Sequence, residues 1–173
     1  MNFFLIGYMG SGKSTIGSKL AQVLDYNFID FDDYIQSKEK KTISEIFQSK
    51  GEIYFRKIEN IYLKELIEDT TNTIISLGGG TPCYGNNMEL IKASKHAKSI
   101  YLKASIPVLT ERLFNEKGKR PLIAHIDSKE EMVEFIGKHL FERTNYYNQS
   151  DATILTDNKS IEEITEKIIL ELF

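Results

Sequence analysis

One short stretch constrains this chain more than any other. Residues 7–14 read GYMGSGKS and match the phosphate-binding pattern G-x-x-x-x-G-K-[ST]. The glycines let the backbone curl so that its N–H groups point at phosphate oxygens. An apolar run at residues 3–6 precedes the motif, and apolar residues at helical spacing follow it, which predicts a strand, a loop and a helix beginning near Lys13. The motif predicts a nucleoside triphosphate site but leaves the phosphate acceptor open.

The same motif assigns roles to its side chains. Lys13 is expected to reach the β- and γ-phosphates, and the Ser14 hydroxyl is placed to bind Mg²⁺. The dipole of the helix that begins at Lys13 adds positive potential at the phosphates. The other residues of this stretch that are expected to contact ATP are Gly10, Ser11, Gly12 and Thr15.

Composition limits the class of protein. The chain has 173 residues, 41% of them hydrophobic, and a net charge of −3, which fits one globular domain without a nucleic-acid or anionic-membrane surface. No apolar run approaches the roughly 18 residues that span a bilayer. The run at residues 3–6 has no basic leader and is not expected to be a signal peptide. We therefore expect a cytoplasmic monomer with a single domain over residues 1–173.

Other potentially reactive side chains predict little chemistry. The single cysteine, Cys83, excludes an internal disulfide and is expected to be a small packed residue. The three histidines lie in separate segments without ligand spacing, so they predict no metal site.

Apolar runs alternate with amphipathic stretches along the chain. Strands are predicted at residues 3–6, 26–30, 73–77, 99–102 and 152–155. Helices are predicted between them, with capping boxes at Thr42/Glu45, Ser128/Glu131 and Ser160/Glu163. Strands separated by helices predict a five-stranded parallel sheet covered on both faces. Ligands bind such sheets beyond the carboxyl ends of the strands.

Two carboxylates end the second predicted strand in the sequence FIDFDDYI. Residues two apart on a strand face the same side, so Asp30 and Asp32 are expected to enter one cleft. Asp30 would lie near the Mg²⁺ shell and hold the ion through water, while Asp32 could take the proton of an acceptor hydroxyl. A solvated acidic loop explains the pair alone equally well, and Asp33 is expected to be solvated.

Arg56 and Glu59 are three residues apart on a predicted helix, so Glu59 can orient the guanidinium. Taken alone, a surface ion pair is the commoner interpretation.

Three consecutive glycines, Gly78, Gly79 and Gly80, follow the third strand and predict close approach of the backbone to a ligand. Ser76, at the end of that strand, is expected to hold a water of the Mg²⁺ shell.

Two further arginines are candidates for anion binding. Arg120 lies in KGKRPL, within a polar segment that is expected to be mobile, and Arg143 lies near the end of a predicted helix. Either could be an ordinary surface cation. A planar guanidinium suits a carboxylate better than a lysine does, which favours a binding role for one or both.

Several classes of phosphate-loop protein are disfavoured. A GTPase would carry an N-K-x-D motif, and the nearest string, DNKS at residues 157–160, lacks the aspartate. A nucleic-acid motor would be longer and carry a basic track.

The chain resembles the shikimate kinase family in an ordered set of motifs, in register from about residue 3 to residue 160. The motifs are GxxGSGKS, D-F-D, F-x-x-x-G-E-x-x-F-R-x-x-E, GGG, R-P-L and R-x-x-x-Y.

The resemblance implies a three-layer α/β/α P-loop kinase fold of the nucleoside-monophosphate-kinase type. It also implies transfer of the ATP γ-phosphate to the 3-hydroxyl of shikimate, with Mg²⁺ as cofactor. The product of that reaction feeds chorismate and aromatic amino-acid biosynthesis. Within the domain, the resemblance implies an acceptor-binding insertion at about residues 32–61 and a mobile lid at about residues 113–125.

The resemblance also implies roles for individual residues. Asp32 would contact the ring hydroxyls and act as the base, and Gly78, Gly79 and Gly80 would approach the ring. Arg56 and Arg143 would clamp the shikimate carboxylate. The remaining implied contacts are Arg120 of the lid on the phosphates, Arg112 on adenine, Lys159 in the adenine loop where the family often has arginine, and Phe47 and Phe55 as an apolar wall or plain core.

Two alternatives stay open at this point. One is a kinase of similar fold that acts on another small polyol acid, such as gluconate. Arg56 and Arg143, together with the triple glycine, favour shikimate. The other is a nucleotide-binding regulatory module without catalysis, which the joint presence of Lys13, Asp32 and Arg120 disfavours.

Overall fold

A computed structural model describes residues 1–172 and contains one parallel sheet. The strands are β1 (Asn2–Ile6), β2 (Asn27–Asp30), β3 (Thr73–Ser76), β4 (Ala97–Lys103) and β5 (Ala152–Leu155), in the order β2-β3-β1-β4-β5. All five predicted strands are found. The largest displacement is at the start of β4, which was predicted at residue 99 and begins at Ala97.

In the part of the chain that the structure describes, seven α-helices connect and cover the strands. They are α1 (Lys13–Leu24), α2 (Phe31–Glu39), α3 (Ile43–Asp69), α4 (Asn87–Ala93), α5 (Ile106–Glu116), α6 (Lys129–Tyr147) and α7 (Ile161–Leu172). Two single 3₁₀ turns lie at Thr81–Cys83 and Lys117–Lys119. Within residues 1–172, none of the helices combines the length and apolar character needed to cross a membrane.

The core has two halves, one on each face of the sheet. Side chains of β1 alternate between them, with Phe3 and Leu5 in one half and Phe4 and Ile6 in the other, and all four are at most 1% exposed. α1 and α7 cover the first half, and parts of α2, α3, α5 and α6 cover the second. This arrangement confirms the three-layer α/β/α fold, since a parallel sheet buried on both faces needs helices on both.

Capping chemistry sets several helix ends as predicted. Thr42 and Glu45 form the reciprocal capping box of α3, and Ser160 and Glu163 form the same pair of bonds before α7. Ser128 accepts from the Glu131 N–H at the start of α6, but the Glu131 carboxylate accepts from the Asp127 N–H instead. The Glu131 carboxylate therefore bonds the backbone one residue before Ser128, the partner that the predicted capping box requires.

Gly51 interrupts α3. Its φ of 83° and ψ of 173° are non-helical, so α3 runs as two helical segments across a kink. Two apolar residues that share the helical spacing of buried neighbours are well exposed, Val23 at 52% in α1 and Ile61 at 48% in α3. Helical spacing identifies the face of a helix, but the width of the buried stripe depends on which neighbours cover it.

Candidate active site

The phosphate loop follows β1 and ends at the first turn of α1. Gly10 and Gly12 have φ of 77° and 91°, the left-handed region that glycine adopts without strain. The Lys13 ammonium donates to the backbone oxygens of Gly7 at 2.9 Å and Tyr8 at 3.0 Å. The lysine is thus held over the loop that the sequence assigned to phosphate.

An open cleft of about 460 Å³ lies at the carboxyl ends of the strands. It brings together most of the residues predicted from the sequence. These are Gly10, Ser11, Gly12, Lys13, Ser14, Thr15, Asp30, Asp32, Ser76, Gly78, Gly79, Arg112, Arg120 and Lys159. Arg56, Gly80 and Arg143 lie outside this lining, and their neighbours are described below.

Three oxygen ligands predicted for Mg²⁺ meet at one point. The Ser14 Oγ donates to Asp30 Oδ2 at 2.7 Å and lies 3.4 Å from Ser76 Oγ. Parallel pairing puts Asp30 and Ser76 in register on neighbouring strands, which explains their proximity. Mg²⁺ prefers oxygen ligands and is commonly held by one carboxylate, waters and substrate phosphates. The donor set fits that ion.

The prediction that Asp32 lies on the second strand is wrong. β2 ends at Asp30, and Asp32 lies in the first turn of α2 rather than on the strand. The cause is the Asp30 carboxylate, whose Oδ1 accepts from the N–H groups of Asp32 at 3.1 Å and Asp33 at 3.4 Å and so caps α2. Both Asp30 and Asp32 still line the cleft, and Asp33 is exposed as predicted.

Burial shapes the ionisation of the two central groups. Burial first, and then the nearby Asp30 charge, raises the pKa of Asp32 to about 6, although Lys13 opposes this. Burial lowers the pKa of Lys13 to about 8, while Asp32 and Asp30 oppose that shift. Asp32 is therefore a stronger base than an ordinary aspartate and remains mostly ionised at neutral pH.

Arg56 is held by a buried carboxylate. Its Nη1 donates to Glu59 Oε1 at 2.9 Å, and Glu59 Oε2 accepts from the Thr81 hydroxyl at 2.7 Å. Glu59 is only 1% exposed, so the pair is not the plain surface ion pair considered from the sequence. The prediction that Glu59 orients Arg56 is confirmed.

Each of the three glycines lies against a different side chain. A Cβ on Gly78 would lie 2.9 Å from Asp32 Oδ1, one on Gly79 would lie 3.5 Å from Arg143 Nη1, and one on Gly80 would lie 3.2 Å from Arg56 Nη2. One short backbone turn therefore lies next to a carboxylate and two guanidinium groups. The Tyr147 hydroxyl donates to the Gly79 oxygen at 2.6 Å and ties this turn to α6.

Two further arginines lie near the nucleotide side of the cleft. Arg112 donates from Nη1 to the Gly10 oxygen at 3.0 Å. Arg120 donates from Nη2 to Glu116 Oε2 at 3.2 Å, and its side chain is 37% exposed. Lys159 and Thr156 line the same cleft. Phe47 and Phe55 contact each other with ring centroids 4.7 Å apart and pack with the core.

Two contacts in the site could not be predicted from the sequence. The Tyr84 ring centroid lies 3.6 Å from Arg56 Cζ. Tyr8, at a variable position of the phosphate motif, shares a 2.8 Å hydrogen bond with His139 Nδ1. Neither pair has a local signal, because each joins segments that are far apart in the chain.

The family model described as shikimate kinase matches residues 9–173 of this chain. The chain belongs to the shikimate kinase family. A shikimate kinase of Flavobacterium johnsoniae is 48% identical over 165 residues, which cover 95% of each chain. The predicted family is therefore confirmed, and the chain is an ATP-dependent kinase.

Solved structures agree with this assignment. The crystal structure of shikimate kinase from Bacteroides thetaiotaomicron superposes with a TM-score of 0.89 at 35% identity, covering 99% of each chain. Shikimate kinase from Acinetobacter baumannii, solved in complex with shikimate, gives a TM-score of 0.83 at 30% identity, covering 97% of this chain and 90% of that one. These likenesses favour a shikimate kinase over a kinase of gluconate and over an inactive regulatory module.

Proposed function

We propose that this chain transfers the γ-phosphate of ATP to the 3-hydroxyl of shikimate, giving shikimate 3-phosphate and ADP. This reaction lies on the route to chorismate and the aromatic amino acids. One observation carries the assignment of the site: a single glycine turn lies against Asp32, Arg143 and Arg56, beside the phosphate loop. Those groups match a hydroxylated monocarboxylate, which needs one base, two cations and backbone donors.

Asp32 acts as the base. The 3-hydroxyl oxygen forms a bond to the γ-phosphorus as the bond from that phosphorus to the bridging β–γ oxygen breaks, and ADP leaves with the electron pair. The hydroxyl proton passes to Asp32. A pKa near 6 supports this role, because the carboxyl is ionised before transfer and is basic enough to hold the proton afterwards. Phosphoryl transfer otherwise depends mainly on positioning and charge.

Lys13 and the backbone of the phosphate loop hold the triphosphate. On nucleotide binding, the Lys13 ammonium exchanges its contacts with the Gly7 and Tyr8 oxygens for phosphate oxygens. Ser14 would hold one Mg²⁺ directly, and Asp30 and Ser76 would hold it through water, since the Ser14 hydroxyl already contacts both of these side chains. When bound, Mg²⁺ neutralises charge on the β- and γ-phosphates.

Arg56 and Arg143 bind the shikimate carboxylate, and Gly78, Gly79 and Gly80 let the ring approach the backbone. Side chains on the glycines would fill this space, since their Cβ atoms would fall 2.9 Å to 3.5 Å from functional atoms. Planar guanidinium groups bind a carboxylate through paired hydrogen bonds, so they fix the ring orientation as well as its charge.

The remaining assignments concern the lid and the purine. Residues 113–125 form a lid that carries Arg120 onto the phosphates and excludes water, which competes with shikimate as an acceptor. Arg112 packs on adenine, and Lys159 lies in the adenine loop. Residues 32–61 form the acceptor-binding insertion. The enzyme works as a cytoplasmic monomer on small molecules, without nucleic acid or membrane as a partner.

Identification of the product tests this proposal. Wild-type protein with ATP, Mg²⁺ and shikimate should yield shikimate 3-phosphate, assigned by ³¹P NMR. The Asp32→Asn variant should lose about 10²- to 10⁴-fold in rate, since it removes a general base, while it still binds ATP. Asp33→Asn is the matched control, because Asp33 is the exposed neighbour. Equal activity in the Asp32→Asn variant would contradict the role of Asp32, and the absence of the 3-phosphate would contradict the function.

A further inference from the structure

We propose that Tyr84 is a positioning residue that holds the plane of the Arg56 guanidinium and thereby sets the affinity for the acceptor carboxylate. The inference rests on the proposed binding of shikimate by Arg56. The role belongs to the aromatic ring of Tyr84 and not to its hydroxyl.

The contact between the two side chains is close and face-on. Arg56 Cζ lies 3.6 Å from the Tyr84 ring centroid, well inside the roughly 6 Å limit for a cation–π interaction. The Phe55 ring also contacts the guanidinium, but at 5.1 Å from its centroid. Tyr84 is therefore the principal aromatic contact of Arg56.

Glu59 holds the guanidinium at one nitrogen, Nη1, and so fixes its position without fixing the tilt of its plane. It accepts from Nη1 at 2.9 Å, and the Glu52 carboxylate lies at a longer 3.8 Å from Nε. A hydrogen bond at one nitrogen permits rotation of the plane about that bond, whereas a ring stacked on the face does not. The two contacts together direct Nη2 toward Gly80, where a Cβ would lie 3.2 Å away.

The backbone near the glycine turn places Tyr84 for this contact. Tyr84 directly follows the 3₁₀ turn Thr81–Cys83, and its Cε2 would lie 3.4 Å from a Cβ on Gly80. The turn that approaches the acceptor thus also presents the ring to Arg56. The ring removes water from one face of the cation, and a charge interacts more strongly with its partner where water is excluded.

Substitutions at Tyr84 separate the ring from the hydroxyl. Tyr84→Leu should raise the KM for shikimate about 3- to 30-fold, the range of a cation–π contact, with a smaller change in kcat and in the KM for ATP. Tyr84→Phe keeps the ring and should rescue the KM for shikimate. Thermal unfolding of both variants checks that they are folded. The proposal is overturned if Tyr84→Leu binds shikimate normally, or if Tyr84→Phe is as impaired as Tyr84→Leu.

A cycle with Arg56→Lys tests whether the ring acts through the guanidinium. An ammonium has no planar face, so Tyr84→Leu should have a smaller effect in the Arg56→Lys background than in wild type. An undiminished effect there would overturn the proposal. Arg56→Lys alone should raise the KM for shikimate. If it does so while Tyr84→Leu has no effect, only the role of Tyr84 fails; if it does not, the proposed carboxylate site fails as well.

Discussion

Burial shifts the pKa values of Asp32 and Lys13, the two residues that we propose act as base and as phosphate ligand. Removal from water disfavours both charges, so the pKa of the carboxyl rises to about 6 and that of the ammonium falls to about 8. Their mutual attraction limits both shifts. At neutral pH Asp32 is therefore mostly ionised and Lys13 is largely charged, which are the protonation states that their proposed roles as base and phosphate-binding residue need.

A pH profile should report the raised pKa of Asp32. At saturating Mg²⁺ and ATP, kcat/KM for shikimate should fall about tenfold per pH unit below about pH 6, since a protonated carboxyl accepts no proton. The profile would be measured in wild type and in Asp33→Asn, which should titrate alike. A limb near pH 4, the range of an ordinary aspartate, would contradict the buried base.

The raised pKa of Asp32 also predicts that its ionised carboxylate lowers the free energy of unfolding. A carboxyl whose folded pKa is raised destabilises the fold when ionised, so the cost is absent below about pH 4 and complete above about pH 6. Asp32→Asn should therefore increase the free energy of unfolding at pH 7.5 by about 1 to 3 kcal/mol.

Urea unfolding at several pH values measures this difference. The gain in Asp32→Asn over wild type should shrink as the pH falls from 7.5 to 4. Asp33→Asn, at an exposed position, should show little change at any pH. A gain in Asp32→Asn that does not depend on pH would point to packing rather than to the ionised carboxylate.

At the scale of elements, the glycine turn after β3 lies against side chains that other elements contribute to the candidate site. Its glycines have little free space, because a Cβ on Gly78 would lie 2.9 Å from Asp32 Oδ1 and one on Gly80 would lie 3.2 Å from Arg56 Nη2. The turn thus separates Asp32, the proposed base, from Arg56, which we propose binds the acceptor carboxylate.

Alanine at the two positions should give different kinetic defects. Gly78→Ala displaces the base and should mainly lower kcat, by about 10²-fold for a shift near 1 Å. Gly80→Ala displaces Arg56 and should mainly raise the KM for shikimate. Steady-state kinetics with shikimate and ATP varied separately distinguish the two. Identical defects in both variants would contradict this division of roles.

The elements themselves were largely predictable from the sequence. Strands such as β1 are continuous apolar runs, and α3 and α7 begin at capping boxes that act over three residues. Asp32 was assigned to the wrong element because its local pattern fits a strand, while the Asp30 carboxylate caps a helix at that point. Local signals therefore predict most elements, but the strand pattern of this segment does not reveal that the Asp30 side chain accepts from the backbone N–H groups of Asp32 and Asp33.

Contacts between residues far apart in the chain could not be predicted from the sequence. The ordered motif set indicated Arg56, Arg143 and Gly78–80 as candidate site residues, but it did not indicate that the Tyr84 ring lies over Arg56. The bond between Tyr8 and His139 joins residues 131 apart, and no periodicity or spacing encodes such a pair. The fold alone brings these groups together.

At the scale of the whole molecule, α6 connects the two halves of the site. Burial first, and then the Arg143 charge, lower the pKa of His139, whose Nδ1 shares a 2.8 Å hydrogen bond with the Tyr8 hydroxyl. Tyr147, on the same helix, donates to the Gly79 oxygen. α6 therefore contacts both the phosphate loop and the glycine turn, and it carries Arg143 between these two contacts.

The measurement that tests the central claim most directly is ADP release with ATP and Mg²⁺, with and without an acceptor. Shikimate is compared with gluconate, quinate and nucleoside monophosphates. The account predicts strong stimulation by shikimate alone, because the site offers one base and two guanidinium groups around a glycine turn. ATP binding without stimulation by shikimate, or stronger stimulation by another acceptor, would contradict it.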